Sequence, residues 1–80
     1  MGVAYNEYLD CRGMACPMPI VRVSRAMKLL APGQTLRVEA SDAAFPADLE
    51  AWLSMRSDKL LALEVDGDQQ MAVIQKSIEL

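Results

Sequence analysis

Two prolines one residue apart, Pro17 and Pro19, set the tightest limit on what this chain can form. Each lacks the N–H that a helix interior needs, yet proline is tolerated in the first helical turn, where that N–H would have no intrahelical partner. A helical pattern follows at once. Ile20, Val23, Met27 and Leu30 recur at steps of three and four, one face at about 100° per residue. The stretch Cys16-Pro17-Met18-Pro19 therefore predicts a rigid helix start with Cys16 at or next to the N-cap. A capping side chain accepts from the second or third helical N–H. Pro19, counted third, has none, so Met18 is the expected donor to the sulfur. The positive end of a helix favours a thiolate over a thiol and lowers cysteine pKa values from about 8.5. The sequence thus predicts one stiffly mounted sulfur in a place that favours its anion.

The remaining elements follow from periodicity. Glu7 to Cys11 is a strand entering the Arg12-Gly13 bend, and Pro17 to Leu30 is the first helix, stopped by Ala31-Pro32-Gly33. Thr35 to Ala40 alternates Leu36, Val38 and Ala40 with Thr35, Arg37 and Glu39, a strand with one buried face. Ser41 to Phe45 reads as loop. Pro46 opens a second helix running to about Arg56, with Leu49, Trp52 and Leu53 on its inner face. Leu60 to Val65 is a third strand, and Asp66-Gly67-Asp68 turns it into a last strand from Gln70 to Ile78. Either Met71 and Val73 or Ala72 and Ile74 face inward there. The order β-α-β-α-β-β, with right-handed crossovers between parallel strands, predicts an α+β two-layer sandwich. It is a four-stranded mixed sheet with both helices on one face, in a single domain spanning residues 1–80.

Composition removes several chemistries. With 52% hydrophobic and 24% charged residues the chain is globular rather than disordered. No apolar run approaches a membrane span, and Met1 to Asp10 has neither the basic start nor the apolar stretch of a signal peptide. A cytoplasmic protein, not inserted in a membrane, is expected. The chain has no histidine, which excludes Ser-His and Cys-His pairs and a Cys2His2 zinc site. Its two cysteines, Cys11 and Cys16, supply at most half of an all-thiolate site, so neither metal nor cofactor is expected. In a reducing compartment both should be thiols. A net charge of −3 argues against binding nucleic acid non-specifically.

Charge is uneven along the chain. Residues 1–40 carry five basic and three acidic side chains, and residues 41–80 carry three and eight. Cys16 lies in the basic half, which favours an anion there and orients an acidic partner. Each candidate has a plainer alternative. Cys16 is a reactive thiolate or a small hydrophobe at a helix start. Arg12 steadies the sulfur anion or is a bend residue with a solvated head. Arg22, Arg25 and Lys28 are a docking stripe or a solvated helix face. Met14 and Met18 are adaptable partner contacts or core filler. Cys11 packs in a strand or is a resolving thiol for Cys16. Trp52 reads as core.

The run Leu9-Asp10-Cys11-Arg12-Gly13-Met14-Ala15-Cys16-Pro17-Met18-Pro19 resembles the opening signature of the TusA/SirA family of small sulfur carriers. The likeness continues through Ala31 to Leu36, Asp42, Asp48 and Trp52. It implies a βαβαββ sandwich in which Cys16 carries a persulfide, framed by Pro17 and Pro19 after the Arg12-Gly13 bend. It also implies a donor protein, such as a cysteine desulfurase or rhodanese-like protein, and a downstream acceptor. The family serves tRNA thiolation, molybdenum-cofactor maturation, sulfur oxidation and thiosulfate uptake. The chain departs from the pattern at Ala43-Ala44 after Asp42 and at Ser57-Asp58 before the third strand. On this reading a monomeric, sulfurtransferase-type carrier needs no general base, because Cys16 is already ionised. Two other functions stay open: a nucleic-acid-binding or regulatory module using Arg22, Arg25 and Lys28, and a dithiol redox switch between Cys11 and Cys16.

Overall fold

Strand β1 (Glu7–Cys11) leads into helix α1 (Met18–Leu29), strand β2 (Thr35–Ala40) and helix α2 (Phe45–Leu53). Strands β3 (Lys59–Asp66) and β4 (Gln69–Gln75) complete the chain. This computed structural model describes residues 5–78; the leading residues read above as lacking a signal peptide lie partly outside that range. The strands form one mixed sheet in the order β1-β2-β4-β3. β1 and β2 are parallel, and β4 runs antiparallel to both β2 and β3.

One cluster joins the helices to one side of the sheet. Val23 and Met27 of α1 and Phe45 and Leu49 of α2 pack with Cys11, Leu36, Val38, Ala40, Ala72 and Ile74. The last strand thus turns Ala72 and Ile74 toward the helices, with Met71 and Val73 on the other side. Sequence periodicity left this open because Val73 is fully buried too. It lies on an interior strand opposite Arg37 and Ala62. In β3 the register slips between Leu60 and Ala62. That bulge lets Leu60 and Leu63 both pack on the core, three residues apart where a regular strand would place them on opposite faces.

Helix bounds shift from the sequence expectation. α1 begins at Met18 with Pro17 as its cap residue, and α2 ends at Leu53 rather than near Arg56. Phe45, expected in a loop, is the first residue of α2 and the largest fully buried side chain. Trp52 is half-buried and packs against the core cluster, as the sequence suggested, and the Arg56 guanidinium lies 4.4 Å from its ring centroid, a cation–π contact.

Asp58 ties the α2–β3 turn to the end of β4. Its carboxylate accepts from the Ser77 N–H at 2.8 Å and from Arg56 Nε at 2.7 Å, and its side chain is only 3% exposed. Burial pushes this carboxyl up, but the two donors outweigh it and hold the pKa below the ordinary value. A folded pKa below the unfolded one gives stability that is complete above the unfolded value of about 4. It is lost as pH falls through the folded value. Asp58→Ala is expected to cost about 2 kcal/mol at pH 7 in urea unfolding. Its deficit against wild type should shrink below about pH 4; a deficit constant with pH would contradict this account.

Candidate functional site

Because β1 and β2 are parallel and Cys11 pairs with Ala40, both strands release their chains at the same edge of the sheet. The two loops that leave there are stitched together before each enters its helix. Gly13 has φ +81°, a left-handed conformation open to glycine without strain, and its N–H donates to Ser41 Oγ at 2.8 Å. Met14 N–H donates to the Cys11 carbonyl at 3.2 Å. Cys16 N–H donates to Asp42 Oδ2 at 2.7 Å. Asp42 also organises the start of α2: its Oδ1 accepts from Ala44 N–H at 3.3 Å and its carbonyl from Phe45 N–H at 2.9 Å, a side-chain-stabilised turn. Asp48 follows in the first turn of α2. Cys16 is thus bonded through its backbone to the loop that opens the neighbouring helix.

The thiol's surroundings differ from the sequence expectation in three respects. Met18 N–H donates to the Ala15 carbonyl at 2.9 Å, and α1 has no side-chain cap, so the sulfur does not receive that bond. Second, the Cys16 pKa is raised rather than lowered. The largest cause is hydrogen bonding to Asp48, followed by burial and by the negative charges of Asp48 and Asp42. Third, the basic half of the sequence does not set the field. Folding brings two carboxylates of the acidic half to this sulfur, which sequence proximity could not show.

Arg12 is turned to other work. Its Nε and Nη2 donate to Asp10 Oδ1 and Oδ2 at 2.9 and 3.0 Å, and its N–H donates to Oδ1 at 3.0 Å. These bonds hold the Asp10 carboxyl at about 2. Cys11 is 0% exposed while Cys16 is exposed, and both are free; burial pushes the Cys11 thiol up. Arg22, Arg25 and Lys28 stay exposed and enter none of the ion pairs among the described residues. Arg25 and Lys28 border a groove that starts at Pro17 and is floored by Ile20, Val21 and Trp52. Met18 is exposed beside Cys16, whereas Met14 packs on the core. Pro19 is fully buried and anchors the loop from below.

In the sequence, Asp42 and Asp48 stand out only through the family resemblance, which assigns them no role. One usable signal was present: an aspartate shortly before a proline-marked helix start is a favoured turn residue. Among the described residues no group of three or more His, Cys, Asp or Glu is arranged to hold a metal ion. No helix among them is long and apolar enough to cross a membrane.

Comparison with known proteins places this arrangement. The putative sulfur carrier protein YrkI of Bacillus subtilis is 44% identical over 71 residues, 89% of this chain and 95% of that protein. YrkF of the same organism is 43% identical over 60 residues. That match covers 75% of this chain but 32% of YrkF, so the chain spans about a third of that relative's length. The sulfur carrier protein TusA of Allochromatium vinosum is 29% identical over 73 residues, 91% of this chain and 96% of that protein. The crystal structure of a SirA-like protein from Desulfitobacterium hafniense shares the fold, with a TM-score of 0.75 at 20% identity over 90% of this chain and 99% of that one. The sequence profile of the family described as sulfurtransferase TusA matches residues 7–76, from the start of β1 to just past the end of β4. This chain belongs to the TusA family.

Proposed function

We propose that the chain is a sulfur carrier whose cargo is a persulfide on Cys16, taken from a donor protein and handed to an acceptor protein. One observation carries the assignment: of the two sulfhydryls, Cys16 is exposed and Cys11 is completely buried. Protein-to-protein sulfur transfer requires that the donor's sulfur reach the accepting one, and that requirement selects Cys16. The frame serves the same end. Asp42 and Pro19 hold the loop on which Cys16 stands, so a docking partner meets a sulfur in a fixed place.

The groove along α1 supports Arg25 and Lys28 as partner contacts. It adjoins the cysteine through Pro17 and combines an apolar floor with two cations. A protein surface carrying acidic residues around an apolar patch fits it. A short basic stripe on a chain of net charge −3 supports a protein partner over nucleic acid, whose phosphates call for a more extended basic footprint. The complete burial of Cys11 favours a structural role for it over a dithiol switch. A reducing cytoplasm, in which both thiols stay free, suits this reading.

The test is intact-mass spectrometry of the wild-type protein after incubation with a cysteine desulfurase and cysteine. The protein should gain the mass of one sulfur atom, lose it to a reductant, and lose it also to an acceptor thiol added after the donor is removed. No gain, or a gain that reductant leaves in place, would count against a persulfide carrier.

A further inference from the structure

We infer that β3 pairs with β3 of a second copy of this chain, antiparallel about a two-fold axis at Leu63, joining the two sheets into one. The inference goes beyond the carrier reading and does not depend on it. β3 is an edge strand, the longest of the four at eight residues, and holds no proline. Such an edge presents unpaired N–H and C=O groups that another strand can take up. It also exposes apolar side chains, with Leu61 42% and Val65 58% exposed.

The charges of β3 show which strand fits it. Lys59 stands at one end, with Glu64 and Asp66 toward the other. None of the three enters an ion pair among the described residues. Lys59 and Asp66 are an odd number of residues apart, so a regular strand would turn them to opposite sides of the sheet. The bulge between Leu60 and Ala62 takes up one residue and removes that mismatch. Lys59, opposite Gln75, and Asp66, opposite Gln69, now both face away from the helices. Each lies three ladder steps from Leu63. Leu60, Leu63 and Val65, opposite Ile74, Ala72 and Gln70, face the helix side.

The strand is therefore complementary to itself. Laid antiparallel about Leu63, it sets Lys59 against Asp66 of the second copy, twice over, and Leu60 against Val65. Leu63 meets its own counterpart on the axis. Opposite charges and apolar pairs across a ladder are both stabilising. Centred one step on, the pairing would oppose Glu64 to Glu64, a like-charge contact. Centred one step back, at Ala62, it would set bulge against bulge and leave Val65 and Asp66 unpaired. The other edge offers no such match: β1 has five residues, and its charges Glu7 and Asp10 are both negative. Because the contact is the same patch on both copies, association closes at two. Cys16 leaves the sheet by the β1 edge, away from β3, so both sulfurs stay open. A one-strand seam is smaller than a standard interface, and the monomer implied by the family likeness is then the dilute form.

Sedimentation velocity at low salt, from about 10 μM to 1 mM protein, should show a monomer–dimer equilibrium. Lys59→Glu opposes two like pairs, and Asp66→Lys does so with the signs reversed. Each should weaken association at least about tenfold. The double variant Lys59→Glu/Asp66→Lys should dimerise as wild type does. An equimolar mixture of the two single variants should dimerise too, because every facing pair is again opposite in sign. The two positions stand at opposite ends of one strand, so neither rescue can arise within a single copy. Val65→Lys should also weaken the dimer, and it takes the place of a charge variant that does not fold by circular dichroism. Wild type that stays monomeric at the highest concentration would overturn the inference. So would a dimer indifferent to both single variants, a mixture that fails to associate, or assembly beyond two copies. Sulfur loading of Cys16 reads the carrier proposal separately and should be unchanged in all of these variants.

Discussion

Cys16→Ser is expected to abolish sulfur loading and to leave the fold as stable as wild type, within about 0.5 kcal/mol. The side chain is exposed, and its link to the fold runs through its backbone N–H to Asp42, which serine keeps. Serine also fits a position just before a helix cap. Only the sulfur is lost, and with it the atom that forms the S–S bond. Cys11→Ser should behave in the opposite way. Its side chain is 0% exposed and packed in the core with Val38, Ala40 and Phe45, so a hydroxyl there loses water without a built partner. The expected cost is about 1–3 kcal/mol, with loading retained by the folded protein. Intact mass and urea unfolding read the two effects separately. Loading that survives Cys16→Ser and vanishes in Cys11→Ser would reverse the site assignment.

Phe45→Ala is expected to lower the unfolding free energy by about 3–5 kcal/mol, the largest loss of stability foreseen for any single residue. Phe45 is 1% exposed and is the largest fully buried side chain. It enters the core at the first residue of α2, beside the Asp42 turn, so little chain is free to collapse into the space it leaves. Small domains have roughly 5–15 kcal/mol in total, and one of 80 residues belongs toward the lower end. The variant should therefore be substantially unfolded in mild urea, with its midpoint shifted far below that of wild type. A shift worth less than about 1 kcal/mol would mean that Phe45 is not the core residue described here.

The fold was legible in the sequence wherever local pattern and tertiary environment agree. Thr35–Ala40 has one buried and one half-buried face, so strict alternation found it with its bounds correct. The Pro17-Met18-Pro19 start and the Val23, Met27 and Leu30 face of α1 followed from chemistry local to the helix. What stayed hidden depends on neighbours distant in sequence. Val73 is buried on the side away from the helices because β4 is an interior strand, and alternation within one strand cannot report that. Phe45 looked like loop because Pro46 marked a helix start one residue late.

The candidate site divides in the same way. The exposed Cys16 and its proline frame were visible as a motif. The state of its sulfur was not, since helix polarity and nearby basic residues both pointed to an anion. Asp42 and Asp48 lie 26 and 32 positions beyond Cys16; the parallel pairing of β1 with β2 brings the Asp42 loop, which opens α2, to the cysteine. Arg12 is similar. Its basic charge suggested a role at the sulfur, but the partner two residues back, Asp10, takes up the guanidinium.

The central claim is that sulfur is held on Cys16, and it can be tested in the wild-type protein without any substitution. Protein loaded by a persulfide donor is capped with iodoacetamide, digested without reductant, and mapped by tandem mass spectrometry. The account predicts one extra sulfur atom on the residue at position 16 and an unlabelled, buried Cys11 in protein capped while folded. The extra sulfur on Cys11, or a disulfide joining Cys11 to Cys16 in place of a persulfide, would contradict it.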